Sequence, residues 1–174
     1  MAVRSFSHVG ITVSDFNRAV KFWWEIFGCP LVGVSDAPPD RVRGFFGNDV
    51  PGATCKIGWI RFPGGAVIEI FHFEPKLPHE AIQWQRIGLT HICVNVRNIH
   101  KWHDYLVSKG IEIVSRPEQS PRGHWLFFAK DFDGNLIEIT DLRHMYYVLR
   151  WLGPLGGWLF RLRKLSVPDA DHVA

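Results

Sequence analysis

Ser7-His8-Val9-Gly10-Ile11-Thr12-Val13 and Thr90-His91-Ile92-Cys93-Val94-Asn95-Val96 decide the fold. In both stretches Val or Ile recurs at every second position, the period of a strand with one apolar face. A helical stripe follows each strand: Phe16, Ala19, Val20, Trp23 and Phe27 before Gly28, then Ile99, Trp102, Tyr105 and Leu106 before Gly110. Asp15 and Asn98 stand where an N-cap is wanted, and the glycines suit helix C-termini. The strands and N-caps of the two copies are offset by 83 residues, and the closing glycines by 82.

The remainder of each copy also repeats. Residues 59–71 and 125–140 both read as strand, Gly-containing turn and strand, with an offset of 69 at Glu69 and Glu138. The first copy therefore carries about 14 extra residues, and the Pro/Gly/Asp-rich stretch 35–52 is where they fit. Each unit reads β-α-β-β-β, with the weakest strands at 31–34 and 111–114. A repeated unit that cannot bury its sheet alone must pair with its copy. The predicted layout is one domain over 1–142, with units at 5–75 and 89–142 joined by a linker at 76–88. A C-terminal tail covers 143–174.

Of 174 residues, 47% are hydrophobic and 21% charged, which excludes wholesale disorder. The net charge of +3 is unevenly placed. Residues 1–142 hold 15 basic and 15 acidic side chains, 143–164 carry five basic and no acidic ones, and 165–174 carry two acidic ones. A neutral core does not suit a nucleic-acid groove, so no nucleic-acid partner is expected. The three cysteines, Cys29, Cys55 and Cys93, form no C-x-x-C motif, and reduced thiols in a cytoplasmic protein are expected. The N-terminal residues lack the apolar core of a signal peptide, and no uncharged apolar run reaches the roughly 18 residues of a membrane span.

Strand alternation isolates four polar residues. His8, Gly10 and Thr12 oppose Val9, Ile11 and Val13; His91, Cys93 and Asn95 oppose Ile92, Val94 and Val96. Glu69 opposes Ile68 and Ile70, and Glu138 opposes Ile137 and Ile139. One reading is a set of polar residues on the wet face of a half-solvated sheet. The other is a site, because a carboxylate flanked by Ile on both sides is costly to bury unless paired or metal-bound. Two imidazoles and two carboxylates converging on one point suit a divalent first-row metal.

The β-α-β-β-β duplication carrying His8, Glu69, His91 and Glu138 resembles the vicinal oxygen chelate superfamily, which includes glyoxalase I, methylmalonyl-CoA epimerase, extradiol dioxygenases and metal-free bleomycin-resistance proteins. The most specific stretches are 8–13, 91–99 and 131–138, and the resemblance spans roughly 5–142. It implies an α+β fold in which two units form a cupped, incompletely closed eight-stranded barrel; the C-terminal tail, which the resemblance does not cover, is expected to be helical. It also implies one divalent ion (Zn, Ni, Co, Mn or Fe) held by His8, Glu69, His91 and Glu138, and a homodimer.

The implied activity is that of an isomerase, epimerase or lyase on a small oxygenated substrate, with Glu138 or Glu69 shuttling a proton. Two alternatives stand beside it: a metal-free protein sequestering an aromatic ligand, which the eight Trp and thirteen Phe would suit, and an extradiol-type dioxygenase. Where glyoxalase I places an Arg and an Asn for glutathione, this chain has Thr12 and Phe73. Where dioxygenases place a Tyr before the last Glu, it has Phe127 and Phe128.

His124, Thr12, Phe71 and Cys93 are candidate substrate contacts. His100 and His103 are expected on a solvated helix face, His72 on the sheet face opposite Glu69, and Arg41 and Arg43 in a solvated loop. The tail at 143–165 reads as two short amphipathic pieces broken by Gly153-Pro154-Leu155-Gly156-Gly157. Its Trp, Leu and Arg content suits either a segment docked on the protein or a partner, or a contact with a membrane surface.

Overall fold

The computed structural model describes residues 5–47, 50–78, 80, 83–85, 87–147, 151–153 and 155. Their elements run β1 (His8–Thr12), α1 (Phe16–Phe27), β2 (Leu31–Ala37), α2 (Pro39–Phe46), β3 (Thr54–Arg61) and β4 (Val67–Glu74), then β5 (His91–Asn95), α3 (Ile99–Ser108), β6 (Glu118–Gln119), β7 (Trp125–Lys130), β8 (Leu136–Asp141) and α4 (His144–Tyr147). Two four-stranded mixed sheets result, in the orders β1-β4-β3-β2 and β5-β8-β7-β6. β1 runs parallel to β4 and β5 parallel to β8, and the other pairs are antiparallel. This is the α+β duplication expected, with sheets not closed into a barrel.

The caps fall where the sequence places them. Asp15 accepts the Arg18 N–H at 2.9 Å, and Asn98 accepts the Lys101 N–H at 3.2 Å. Gly28 ends α1 at φ 66°, a left-handed conformation that glycine adopts without a Cβ penalty. α1 buries Phe16, Ala19, Phe22 and Trp23, and α3 buries Ile99 and Leu106.

A single core joins the halves. It runs from Ile60, Ile68 and Ile70 of the first sheet, through α1 and α3, to Val94, Phe127, Ile137 and Ile139 of the second. Phe27 stacks on Trp102 at 5.7 Å, Phe22 meets Phe132 edge-on at 6.1 Å, and the Tyr105 hydroxyl donates to the Glu25 carbonyl at 3.0 Å. Asp133 of the β7–β8 turn accepts the Ser14 N–H at 2.9 Å and also bonds its hydroxyl. Asp131 shapes that turn, accepting the N–H groups of Asp133 and Asn135 and the Asn135 side-chain amide, each at 2.9 Å.

Two details differ from expectation. The 14-residue excess is not all loop: α2 forms within it, with Pro39 in its first turn and Gly47 closing it at φ 60°. Val42 is fully buried against Ala37, Cys55 and Ile57. Residues 111–114 form no regular strand. Ile113 makes one bridge to Ala129, and the Ser115 hydroxyl takes the Phe128 N–H at 3.0 Å, which interrupts the ladder. The edge strand of the second sheet falls instead at β6.

Candidate metal centre

Strand register builds the site. His8 lies opposite Val67, and Glu69 lies two residues further along the parallel partner strand, on the same face. His91 lies opposite Leu136, with Glu138 again two residues on. The same diagonal produces the same contact twice: His8 Nε2 is 3.0 Å from Glu69 Oε2, and His91 Nε2 is 3.1 Å from Glu138 Oε2. Both carboxylates are largely shielded, with side-chain exposures of 14% and 17%.

A second repeated feature fixes the rings. His8 Nδ1 is hydrogen-bonded to the hydroxyl of Ser7 at 3.1 Å, and His91 Nδ1 to that of Thr90 at 2.8 Å. Engaging Nδ1 leaves Nε2 aimed at the carboxylate, as an outer-shell partner does for a ligating imidazole. Sequence reasoning passed over these hydroxyls, although the signal was in plain view: a hydroxyl residue precedes both histidines. It also passed over Trp59 beside Glu69, whereas Phe128 was noted ahead of Glu138. Trp59 pairs with Glu69 across β3–β4, and Phe128 pairs with Glu138 across β7–β8.

The two faces differ in lining. In the first, the Phe71 ring crosses Gly10, where a Cβ would stand 2.7 Å from its Cε2. Phe46 of α2 packs edge-on against Phe71 and Phe73 at 5.5 and 5.4 Å. Thr12 lies opposite Phe71. In the second face the counterparts of Gly10 and Phe71 are Cys93 and Thr140, and the buried Thr140 hydroxyl donates to the Trp125 carbonyl at 3.2 Å. Cys93 lies opposite Glu138. Desolvation on the sheet face, then the neighbouring Glu138 carboxylate, pushes its thiol up to about 12, although the residue as a whole is exposed. Trp84 stands over this face, 4.8 Å from the Phe128 ring and 6.2 Å from the His91 ring.

The structure brings His8 to Glu69 and His91 to Glu138. Among the described residues it gathers no group of three or more His, Cys, Asp or Glu side chains that could hold a metal. Both pairs lie on the sheet faces opposite the shared core. His124 bonds Ser120 through Nδ1 at 2.9 Å, in the turn before β7. His72, on the other face from Glu69, contacts Glu74 at 3.3 Å. His100 packs on Trp125 yet stays exposed, as expected, whereas His103 packs on Phe127 and is half-buried. Most of the tail beyond Tyr147, including its cluster of basic residues, lies outside the described residues. Among the described residues no helix is long and apolar enough to cross a membrane.

Fold and pair geometry together define a duplicated β-α-β-β-β protein with a His–Glu pair per repeat. The chain belongs to the Glyoxalase/Bleomycin resistance protein/Dioxygenase superfamily, whose family model matches residues 5–139. It is 29% identical over 146 residues to a 2-epi-5-epi-valiolone epimerase of an Actinomyces species, covering 78% of each chain. It is 28% identical over 148 residues to the lactoylglutathione lyase of Schizosaccharomyces pombe, covering 81% of this chain but 48% of that one. Among solved structures, a glyoxalase family protein of Bacillus cereus superposes with a TM-score of 0.71 at 20% identity, over 81% of this chain and 95% of that one. A glyoxalase I variant of Zea mays superposes with a TM-score of 0.58 at 21% identity, over 76% of this chain and 43% of that one. At those identities the structural likeness speaks for the fold.

Proposed function

We propose that the protein is a metal-dependent epimerase or isomerase acting on a small oxygenated substrate. The observation that carries this reading is the repeated pair: the same His–Glu diagonal, with the same hydroxyl on each Nδ1, in both halves. Two imidazole nitrogens and two carboxylates are a donor set that suits Zn, Ni, Co, Mn or Fe. His8, Glu69, His91 and Glu138 would hold the ion. When bound, it supplies a Lewis acid for neighbouring substrate oxygens.

Because the core stands behind both pairs in one chain, we place the full centre between two copies, the first pair of one meeting the second pair of the other. The working protein is then a cytoplasmic homodimer with two equivalent centres.

The chain's own residues handle the proton. Each glutamate turns one oxygen to its histidine and keeps the other for the carbon beside a substrate carbonyl. Glu138 removes that proton, and Glu69 returns one from the opposite side, which inverts the carbon. Phe71, Trp59 and Phe128 keep water from the carboxylates. Thr12 and Phe73, in place of groups that hold glutathione in the lyases, favour the epimerase type.

The cluster of Phe46, Phe71 and Phe73 on the first face favours a second reading, a metal-free binder of an aromatic ligand.

One preparation separates the two. Protein purified without added metal is taken through elemental analysis and thermal melts with each divalent ion. Solvent-deuterium incorporation is then followed into 2-epi-5-epi-valiolone and, separately, into the hemithioacetal of glutathione. The expected result is about one ion per chain, incorporation into the cyclic ketone, and a loss of at least about 100-fold in Glu138→Gln. No metal, and no stabilisation by any divalent ion, would leave the binder.

A further inference from the structure

A cleft of about 1040 Å³ lies between the two halves, beside β1 and β5. It is separate from the first His–Glu pair, and it reaches the second only through His91 and Cys93 on its β5 wall. Its volume is that of a pocket for a drug-sized molecule. Its walls are apolar and come from both repeats: Val9 and Ile68 on one side, Ile92 and Val94 on the other, with the stacked Phe27–Trp102 pair between. Cys29, another wall residue, is almost fully buried and ties the cleft wall to the core. Phe6 and Leu89, equivalent by the 83-residue offset, stand at the cleft with 85% and 81% of their surfaces exposed.

The charged end breaks this symmetry. Arg97 and Arg143 both line the cleft, and the matching positions of the first repeat are Ser14 and Glu74. Asp141 lies between them in the fold, but its carboxylate serves the backbone, accepting the Asn98 N–H at 3.0 Å and the Arg143 N–H at 3.2 Å. Those bonds, with Leu142 N–H donating to the Asn95 side chain at 3.1 Å, set the path of the chain as it leaves β8. Arg143 itself sits at φ 50°, a left-handed conformation that non-glycine residues seldom adopt. Tyr146 and Tyr147 of α4 are thereby brought to the cleft. Neither guanidinium has an ion-pair partner among the described residues.

An apolar chamber with two guanidinium groups on one side, in excess of the single Asp141 carboxylate, is complementary to a molecule with an apolar body and an anionic head. We propose that this cleft binds a small amphiphilic acid, an alkyl or aryl body ending in a carboxylate, with Arg97 and Arg143 at the carboxylate end.

The test uses the full chain, treated with a chelator so that the metal centre plays no part. Calorimetric titrations with octanoate, decanoate and dodecanoate, below their micellar concentrations, should show one site per chain. Affinity should tighten about three- to fourfold per added methylene. Dodecanol, with the same tail and no charge, should bind at least tenfold more weakly than dodecanoate. Arg97→Gln/Arg143→Gln should erase that preference while leaving dodecanol unchanged. Ala66→Trp, which fills the cleft from an exposed position, should abolish binding of both while the melting temperature holds. The proposal is overturned if the two ligands bind alike, if chain length has no effect, or if Ala66→Trp leaves binding intact. It is also overturned if nothing binds and Ala66→Trp instead splits a dimer, because a second copy then fills the cleft.

Discussion

Gly10→Ala puts a single methyl group at the tightest point of the first site face. The new Cβ would stand 2.7 Å from Phe71 Cε2, whereas carbon atoms settle at about 3.5–4.0 Å. The ring must therefore retreat by about 1 Å. It has little room to do so, with Phe46 edge-on at 5.5 Å and Phe73 stacked at 6.2 Å. Overpacking of this kind costs about 1–3 kcal/mol. Alanine returns about 0.4–1 kcal/mol by stiffening the unfolded chain, since the strand backbone at residue 10 accepts a side chain. The net loss is about 1–2 kcal/mol, or about 2–8 °C in melting temperature for a chain of this length. Differential scanning calorimetry on Gly10→Ala, Phe71→Leu and the double variant measures it. The double variant should be more stable than the sum of the singles predicts, by about 1–2 kcal/mol, because the leucine vacates the space the methyl needs. An unchanged or raised melting temperature in Gly10→Ala, or strict additivity, would refute the packing of Phe71 over β1.

Three further outcomes follow from the rest of the structure. Asp133→Ala removes the acceptor for both the Ser14 N–H and its hydroxyl, so urea midpoints should fall by the equivalent of about 1 kcal/mol, and Ser14→Ala in the same background should cost almost nothing more. Burial holds the Asp131 carboxyl above its usual range, so the folded state keeps that proton to higher pH than the unfolded one. Stability from this group therefore declines as pH rises from near 4 through the raised value, and Asp131→Asn should flatten that part of the pH–stability curve measured by urea titration. Cys29 and Cys55 are buried, with thiols pushed up to about 11, whereas Cys93 is exposed, so at pH 8 a disulfide reagent should leave the first two unreacted in native protein and reach all three once urea unfolds it.

The repeat and its face pattern were legible because period-two alternation survives on both sides of each site residue. Ile68 and Ile70 flank Glu69, Ile137 and Ile139 flank Glu138, and these isoleucines are among the most buried residues of the chain. Caps at Asp15 and Asn98 were legible for the same reason, being local. What the sequence hid was long-range or compensated. α2 grows from a stretch rich in Pro and Gly, and a single buried residue, Val42, anchors it. The break in the second sheet depends on the Ser115 hydroxyl standing in for a ladder bond. That α1 would pack against Trp102 and Phe132 of the other repeat cannot be read from a stripe, which tells which face is buried but not against what. Strand register makes each His–Glu pair, but that the two pairs stay apart within one chain is a consequence of that packing.

The interlocked core also governs how the molecule breathes. With Phe22 and Phe27 seated on the second repeat, and Tyr105 bonded back to α1, neither half can open without tearing the other's packing. Amide exchange should therefore report one cooperative unit across β4 and β8, where two tethered domains would give two. In that case a single unfolding event releases both histidine–glutamate pairs together, and any ligand that grips one of them slows the exchange of both.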